Sequence, residues 1–226
     1  TEGGWLHLTT EELVAGAIAS KKKGWPGVKL KVGKPKAHED VERLMSVREA
    51  VGKEMHIMVD ANTSFTVAEA IKRAKAFEPI DLFWLEEPLP ADDVTGHARL
   101  AAVTSIPIAV GETMYSAMQF QQYLHQNAVG IVQVDVARVG GITPWLKVAH
   151  MAESFNVKVC PHFLMEIHVS LAAAIPNGLY VEHIPQLRGI TNSEIKIENG
   201  MALAPTSVGL GIDWNFDAIE NKRVKI

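Results

Sequence analysis

Val28-Lys29-Leu30-Lys31-Val32-Gly33 is an apolar run crossed by two lysines and closed by a glycine. An amphipathic stretch, 38–51, follows it, and then a second apolar run, His56-Ile57-Met58-Val59-Asp60. A run, a loop, a helix-period stretch and another run make a β-α-β unit with parallel strands. The unit repeats along the chain. Strands are expected over 4–8, 28–32, 56–60, 82–86, 108–112, 131–135, 157–162 and 179–182, and helices near 10–23, 38–51, 66–77, 92–103, 116–126, 143–155 and 166–174. Thr10, Thr66, Ser116 and Thr143 are the expected N-caps, and Pro107, Pro161 and Pro176 punctuate the joins. Eight strands with seven intervening helices predict an α/β fold, a TIM-like (β/α)7β barrel. A doubly wound open sheet would carry fewer strands at this length. The barrel is expected over 1–190, with 191–226 as a C-terminal segment packed on it.

The bulk properties fit one large domain, since 47% of the 226 residues are hydrophobic. A net charge of −4 and the absence of a basic patch interleaved with aromatics exclude a nucleic-acid footprint. Lys21-Lys22-Lys23 ends a helical pattern and reads as a solvated helix C-terminus. The single cysteine, Cys160, sits in an apolar strand and suits a reducing compartment. No apolar stretch is long enough to span a membrane and no signal peptide opens the chain, so a cytoplasmic protein is expected. The chain starts at Thr1 without a methionine, and an N-terminal portion is expected to be missing.

The strand ends carry the chemistry. Lys29 and Lys31, Asp60, Glu86, Glu112, Asp135, His162 and Glu182 fall at successive ends, spaced 29, 26, 26, 23, 27 and 20 residues apart from Lys31 onward. In a barrel these ends converge on one mouth, where active sites of this architecture sit. One strand-end carboxylate is ordinary. A charge on seven strands in a row is too costly to gather around one axis unless the groups pair or bind something. Asp60, Glu86 and Glu112 on consecutive strands offer hard oxygen ligands suited to Mg²⁺. Lys29 and Lys31 share a face by period-2 alternation, and two neighbouring ammonium groups are expected to lower each other's pKa, suiting Lys31 as a base. His162, one strand beyond Asp135, can be oriented by that carboxylate as a second acid–base group. Such an array removes a proton next to a carboxylate and stabilises the charge that develops. Glu182 would either donate as a protonated acid or ion-pair with a lysine.

The motifs Val28–Gly33, Val59-Asp60-Ala61-Asn62, Leu85-Glu86-Glu87-Pro88, Val110-Gly111-Glu112-Thr113, Val134-Asp135 with Arg138-Val139-Gly140-Gly141-Ile142, Pro161-His162 and Val181-Glu182-His183 run over nearly the whole chain. As an ordered set, they resemble the C-terminal barrel of the enolase superfamily, mandelate racemase subgroup. The resemblance implies Asp60, Glu86 and Glu112 as Mg²⁺ ligands, Lys31 and His162 as opposed acid–base catalysts, and Asp135 as the partner of His162. It implies Lys29 as an auxiliary group, Glu182 as an electrophilic hydrogen-bond donor, and Lys29, Asn62, His162 and Glu182 as substrate contacts. Glu87 matches a family position that is normally not a ligand. It further implies an N-terminal α+β capping domain, largely absent from this chain, on which 191–226 would also pack, and a homo-oligomer.

Thr1-Glu2-Gly3-Gly4-Trp5-Leu6-His7, Asp93-Val94-Thr95-Gly96-His97 and Pro161-His162-Phe163-Leu164-Met165-Glu166-Ile167-His168 are similar to acid-sugar dehydratases of the talarate/galactarate kind. That likeness implies α-proton abstraction from an aldarate or aldonate and loss of the β-hydroxyl, giving a 2-keto-3-deoxy acid. His7, Tyr115 and Arg138 are candidate donors to such a polar substrate. Two other readings stand beside it: a racemase or epimerase using the same Lys31/His162 pair, and, more remotely, a barrel that binds metal and ligand without turnover.

Overall fold

The computed structural model describes residues 4–224. Its elements alternate as expected: α1 (Thr10–Lys22), β1 (Gly27–Lys31), α2 (Ala37–Val51), β2 (His56–Asp60), α3 (Val67–Phe77), β3 (Trp84–Glu86), α4 (Val94–Ala101), β4 (Ile108–Val110), α5 (Ala117–His125), β5 (Ile131–Val132), α6 (Ile142–Ser154), β6 (Lys158–Val159) and α7 (Met165–Ala173). The hairpin β7 (Ile197–Glu198) and β8 (Met201–Ala202) and the short α8 (Phe216–Asn221) follow. β1 to β6 form one parallel sheet in chain order. Among the described residues no helix is long and apolar enough to cross a membrane.

The sheet curls. Lys29 on β1 pairs with Glu182 at 2.7 Å, and His56 on β2 lies 2.7 Å from the Tyr180 hydroxyl. The segment beyond β6 therefore closes against the first two strands. It does so with little ladder of its own: Gly178 bridges Val159, and Leu179 N–H donates to Val159 O at 3.0 Å. The expected strand 179–182 is thus an extended segment, and the one bridge falls just before it, at Gly178.

The expected strand 4–8 is a turn. Leu8 N–H returns to Trp5 O at 3.3 Å, and Gly4 O accepts from Lys31 N–H of the sheet at 2.6 Å. The reason is where the carbonyls go: Arg43 donates to Trp5, Leu6 and Leu8 oxygens at 3.3–3.5 Å, replacing a ladder partner. Thr9, one residue before the expected Thr10, caps α1 in a reciprocal box with Glu12. Thr66 and Ser116 cap as expected, whereas Gly141 takes the place of Thr143.

Two apolar layers result from strand alternation. Outward-facing strand residues such as Leu30, Val59, Leu85 and Val132 pack with the helices in the main core. Met58, Trp84, Ala109, Ile131 and Cys160 fill the inside, joined by Phe83 and Tyr180. Residues two positions further along several of these strands carry the charged groups. The plug therefore forms the floor of the site.

Residues 191–224 hold the hairpin and α8; Gly200 turns at φ +75° directly against Gly24 and Pro26, where a Cβ would strike the Gly24 carbonyl.

Candidate active site

Register delivers the first three groups side by side: Lys31 pairs with Asp60 across β1 and β2, and Asp60 with Glu86 across β2 and β3. Glu112 follows β4 through Gly111, which approaches the Gln133 backbone too closely for a side chain. One oxygen each of Asp60, Glu86 and Glu112 lies within 4.8 Å of the others. Asp60 and Glu86 are fully buried and Glu112 partly so.

Carboxylates this close repel unless cations are supplied. Lys29 Nζ lies 2.7 Å from Glu86 Oε1, 2.7 Å from Glu182 Oε1 and 3.9 Å from Asp60 Oδ2. Lys31 Nζ ion-pairs with Asp60 Oδ2. Trp84 Nε1–H donates to Glu86 Oε2 at 3.0 Å. Asn62 donates to Asp60 from its backbone at 2.8 Å and from its side chain at 3.4 Å. In this geometry Asn62 braces a carboxylate.

The expected mutual depression of the lysines fails at Lys29. Burial pulls its pKa down, yet Glu86, Glu182 and Asp60 together outweigh burial and hold it above the ordinary lysine value. Burial pushes Glu86 up to about 7 against the opposing pull of Lys29. These two tendencies conflict across one contact. With a charged Lys29 at 2.7 Å and Trp84 donating to the other oxygen, the ionised carboxylate is the form this geometry holds. Of the two expected readings of Glu182, the geometry forms the ion pair with a lysine. Burial alone would raise the Glu182 pKa, but Lys29 and the Phe163 N–H, 3.0 Å from Oε2, hold it down at about 2. It is an ionised partner of Lys29.

On the other side, His162 Nδ1 is 2.8 Å from Asp135 Oδ2, and Nε2 is 3.4 Å from Glu112 Oε2. Asp135 also accepts from Ala137 and Arg138 N–H at 2.7 and 3.3 Å. Burial lowers the His162 pKa, but Asp135, Glu112 and Glu182 outweigh it and raise it overall. Burial raises Asp135, but His162 and the Ala137 N–H reverse that and lower it. A carboxylate on Nδ1 leaves Nε2 facing the carboxylate cluster. The site thus has an ammonium on one side, an imidazole on the other and three carboxylates between.

The remaining candidates sit at the rim. Arg138 donates to the Tyr115 hydroxyl at 3.2 Å, and His7 is exposed on the 5–8 turn. Lys31 Nζ lies 5.9 Å from the Trp5 ring centroid. Within the first dehydratase-like motif, residues 1–3 lie outside the described residues. In the second, Asp93 caps α4 through Gly96 N–H, while His97 is buried against Tyr123, so both are structural.

A family model described as "Enolase C-terminal domain-like" matches residues 12–218. The chain belongs to the enolase superfamily. Its relatives include the L-talarate/galactarate dehydratase of Salmonella typhimurium, 41% identical over 218 residues, which cover 96% of this chain and 55% of that protein. The structure of L-talarate dehydratase from Polaromonas sp. JS666, complexed with Mg and L-glucarate, superposes with a TM-score of 0.93 at 41% identity, covering 97% of this chain and 62% of that one. A racemase from Streptomyces coelicolor A3(2) with bound magnesium gives 0.90 at 30% identity, covering 97% and 62%. The chain therefore spans a little over half the length of these relatives and constitutes the barrel portion of the superfamily fold.

Against this enolase-superfamily frame, several supporting residues had no role in the sequence reading. Trp84 shares the parity of Glu86 and could have been found by alternation. Thr113, which donates to the buried Glu87, and His168, which touches the backbone beside His162, carry no such signal.

Proposed function

We propose that this barrel is the catalytic part of a Mg²⁺-dependent hydro-lyase acting on an acid sugar, an aldarate or aldonate. The carrying observation is the three-carboxylate cluster flanked by Lys31 on one side and the His162–Asp135 pair on the other. The donor set fits the metal: three hard oxygens close together, without a cysteine, and with His162 Nε2 3.4 Å from Glu112. Mg²⁺ held by Asp60, Glu86 and Glu112 would supply a Lewis acid that polarises the substrate carboxylate. The likeness to an L-talarate/galactarate dehydratase supports the substrate class.

In this mechanism Lys31 or His162 takes the α-proton, breaking the C–H bond as a carbon–carbon double bond forms. His162, held by Asp135, gives the departing β-hydroxyl a proton, either the α-proton it has taken or, where Lys31 is the base, the one it already holds as an imidazolium, and the hydroxyl leaves as water. The enol then tautomerises to a 2-keto-3-deoxy acid. Lys29 and Asn62 orient the substrate carboxylate end, and the ionised Glu182 keeps Lys29 in place. We assign the barrel to 1–190 and the segment 191–226 to packing on it and on a capping domain, in a cytoplasmic homo-oligomer.

The test is 2-keto acid formation from a panel of aldarates and aldonates by the full-length protein, with and without Mg²⁺. Metal-dependent turnover of one or more is expected. A second reading, a racemase or epimerase, is favoured by the same opposed pair and by the racemase likeness. In D₂O, α-deuterium exchange without loss of water would replace the dehydratase reading with it.

A further inference from the structure

We propose that His168 is a positioning residue that holds the His162–Asp135 pair in register by clamping the backbone beside each partner. The inference rests on the reading of His162 as a proton-transfer group. His168 lies on α7, fully buried. Its Nε2 is 3.1 Å from the N–H of Val136, the residue after Asp135. Its Nδ1 is 3.1 Å from the carbonyl of Phe163, the residue after His162. A ring nitrogen that accepts an N–H carries no proton, so the proton must be on the other nitrogen, which meets a carbonyl. The two contacts admit only the neutral Nδ1–H tautomer. One ring therefore joins the segments that follow β5 and β6.

Two neighbours complete the clamp. Trp145 of α6 stacks on His168 with centroids 6.1 Å apart and donates from Nε1 to Val134 O at 3.0 Å. Asp135 is thus held through the residue on each side of it. Phe163 adopts φ +63°, a left-handed conformation that is strained for a non-glycine residue. Its N–H donates to Glu182 and its carbonyl accepts from His168. Its ring stacks on His162 at 5.3 Å and 15°. Loss of the His168 bond frees the strained turn to relax and carries the imidazole away from Asp135.

The full-length protein provides the test through two independent readouts. One is the downfield proton resonance of the His162 Nδ1–H bonded to Asp135. The other is turnover of an acid sugar. His168→Ala should abolish the resonance and lower kcat about 10- to 100-fold with little change in KM. His168→Asn keeps a donor towards Phe163, and His168→Gln keeps an acceptor for Val136, so each should restore part of both signals. Persistence of the resonance in His168→Ala overturns the proposal whatever the activity, and so does its loss with kcat unchanged. If the wild type turns over no acid sugar, the functional reading fails while the resonance still decides the clamp. Should His168→Ala not fold, the Asn and Gln variants are compared with the wild type in its place.

Discussion

At Lys31 and Asp60 a single ion pair separates two proposed duties, base and metal ligand. Lys31→Ala is expected to lower turnover about 10²- to 10⁴-fold, the range for a lost acid–base group. Mg²⁺ affinity should hold or rise by calorimetry, because Asp60 loses a competing ammonium. Asp60→Asn should instead remove metal binding and, with it, Mg²⁺-dependent turnover. Glu182 makes a pH-dependent prediction. Its folded-state pKa of about 2 lies below its ordinary 4.5, so its stabilising effect is complete above 4.5 and is lost as pH falls towards 2. A shift of that size corresponds to roughly 3 kcal/mol. Glu182→Gln should therefore be less stable than wild type at pH 6, with the gap closing below pH 4.5 in guanidinium titrations. A gap independent of pH would contradict the Lys29–Glu182 assignment.

Between elements, the loop after β1 is held by a buried charge network that the sequence reading did not contain. Asp40 on α2 accepts from Gly33 and Lys34 N–H at 2.9 and 3.1 Å and from Arg73 of α3 at 2.6 Å. Arg43 reaches the Lys31 carbonyl and the 5–8 turn. The network thus fixes the backbone that carries Lys31. Arg73→Leu leaves Asp40 buried with one cation fewer and should cost about 3 kcal/mol in urea denaturation, as broken buried pairs do. Helix positions were legible because caps and amphipathic spacing are local. The 4–8 segment differs from its expected strand because apolar spacing does not tell a strand from a turn whose carbonyls an arginine has taken, and 179–182 runs extended with little ladder because only its start pairs with Val159.

For the whole molecule, binding of Mg²⁺ to the folded site alone stabilises it by mass action. About 2.7 kcal/mol is expected at a hundredfold excess over Kd. Tm should rise with added Mg²⁺, fall back with EDTA, and lose this response in Asp60→Asn. An unchanged Tm over a wide Mg²⁺ range would count against the carboxylate cluster as the metal site.

The strand-end series from Lys31 to Glu182 and the alternation of strands and helices were determined by the sequence alone. Both depend on periodicity and spacing, which are properties of the chain before it folds. Protonation and support were decided only in three dimensions. Lys29 is held charged by Glu86, Glu182 and Asp60, and Glu182 is ionised, because pKa depends on distances across the barrel axis. The bracing of His162 by His168 and Trp145 likewise depends on where two helices set their side chains against strand ends.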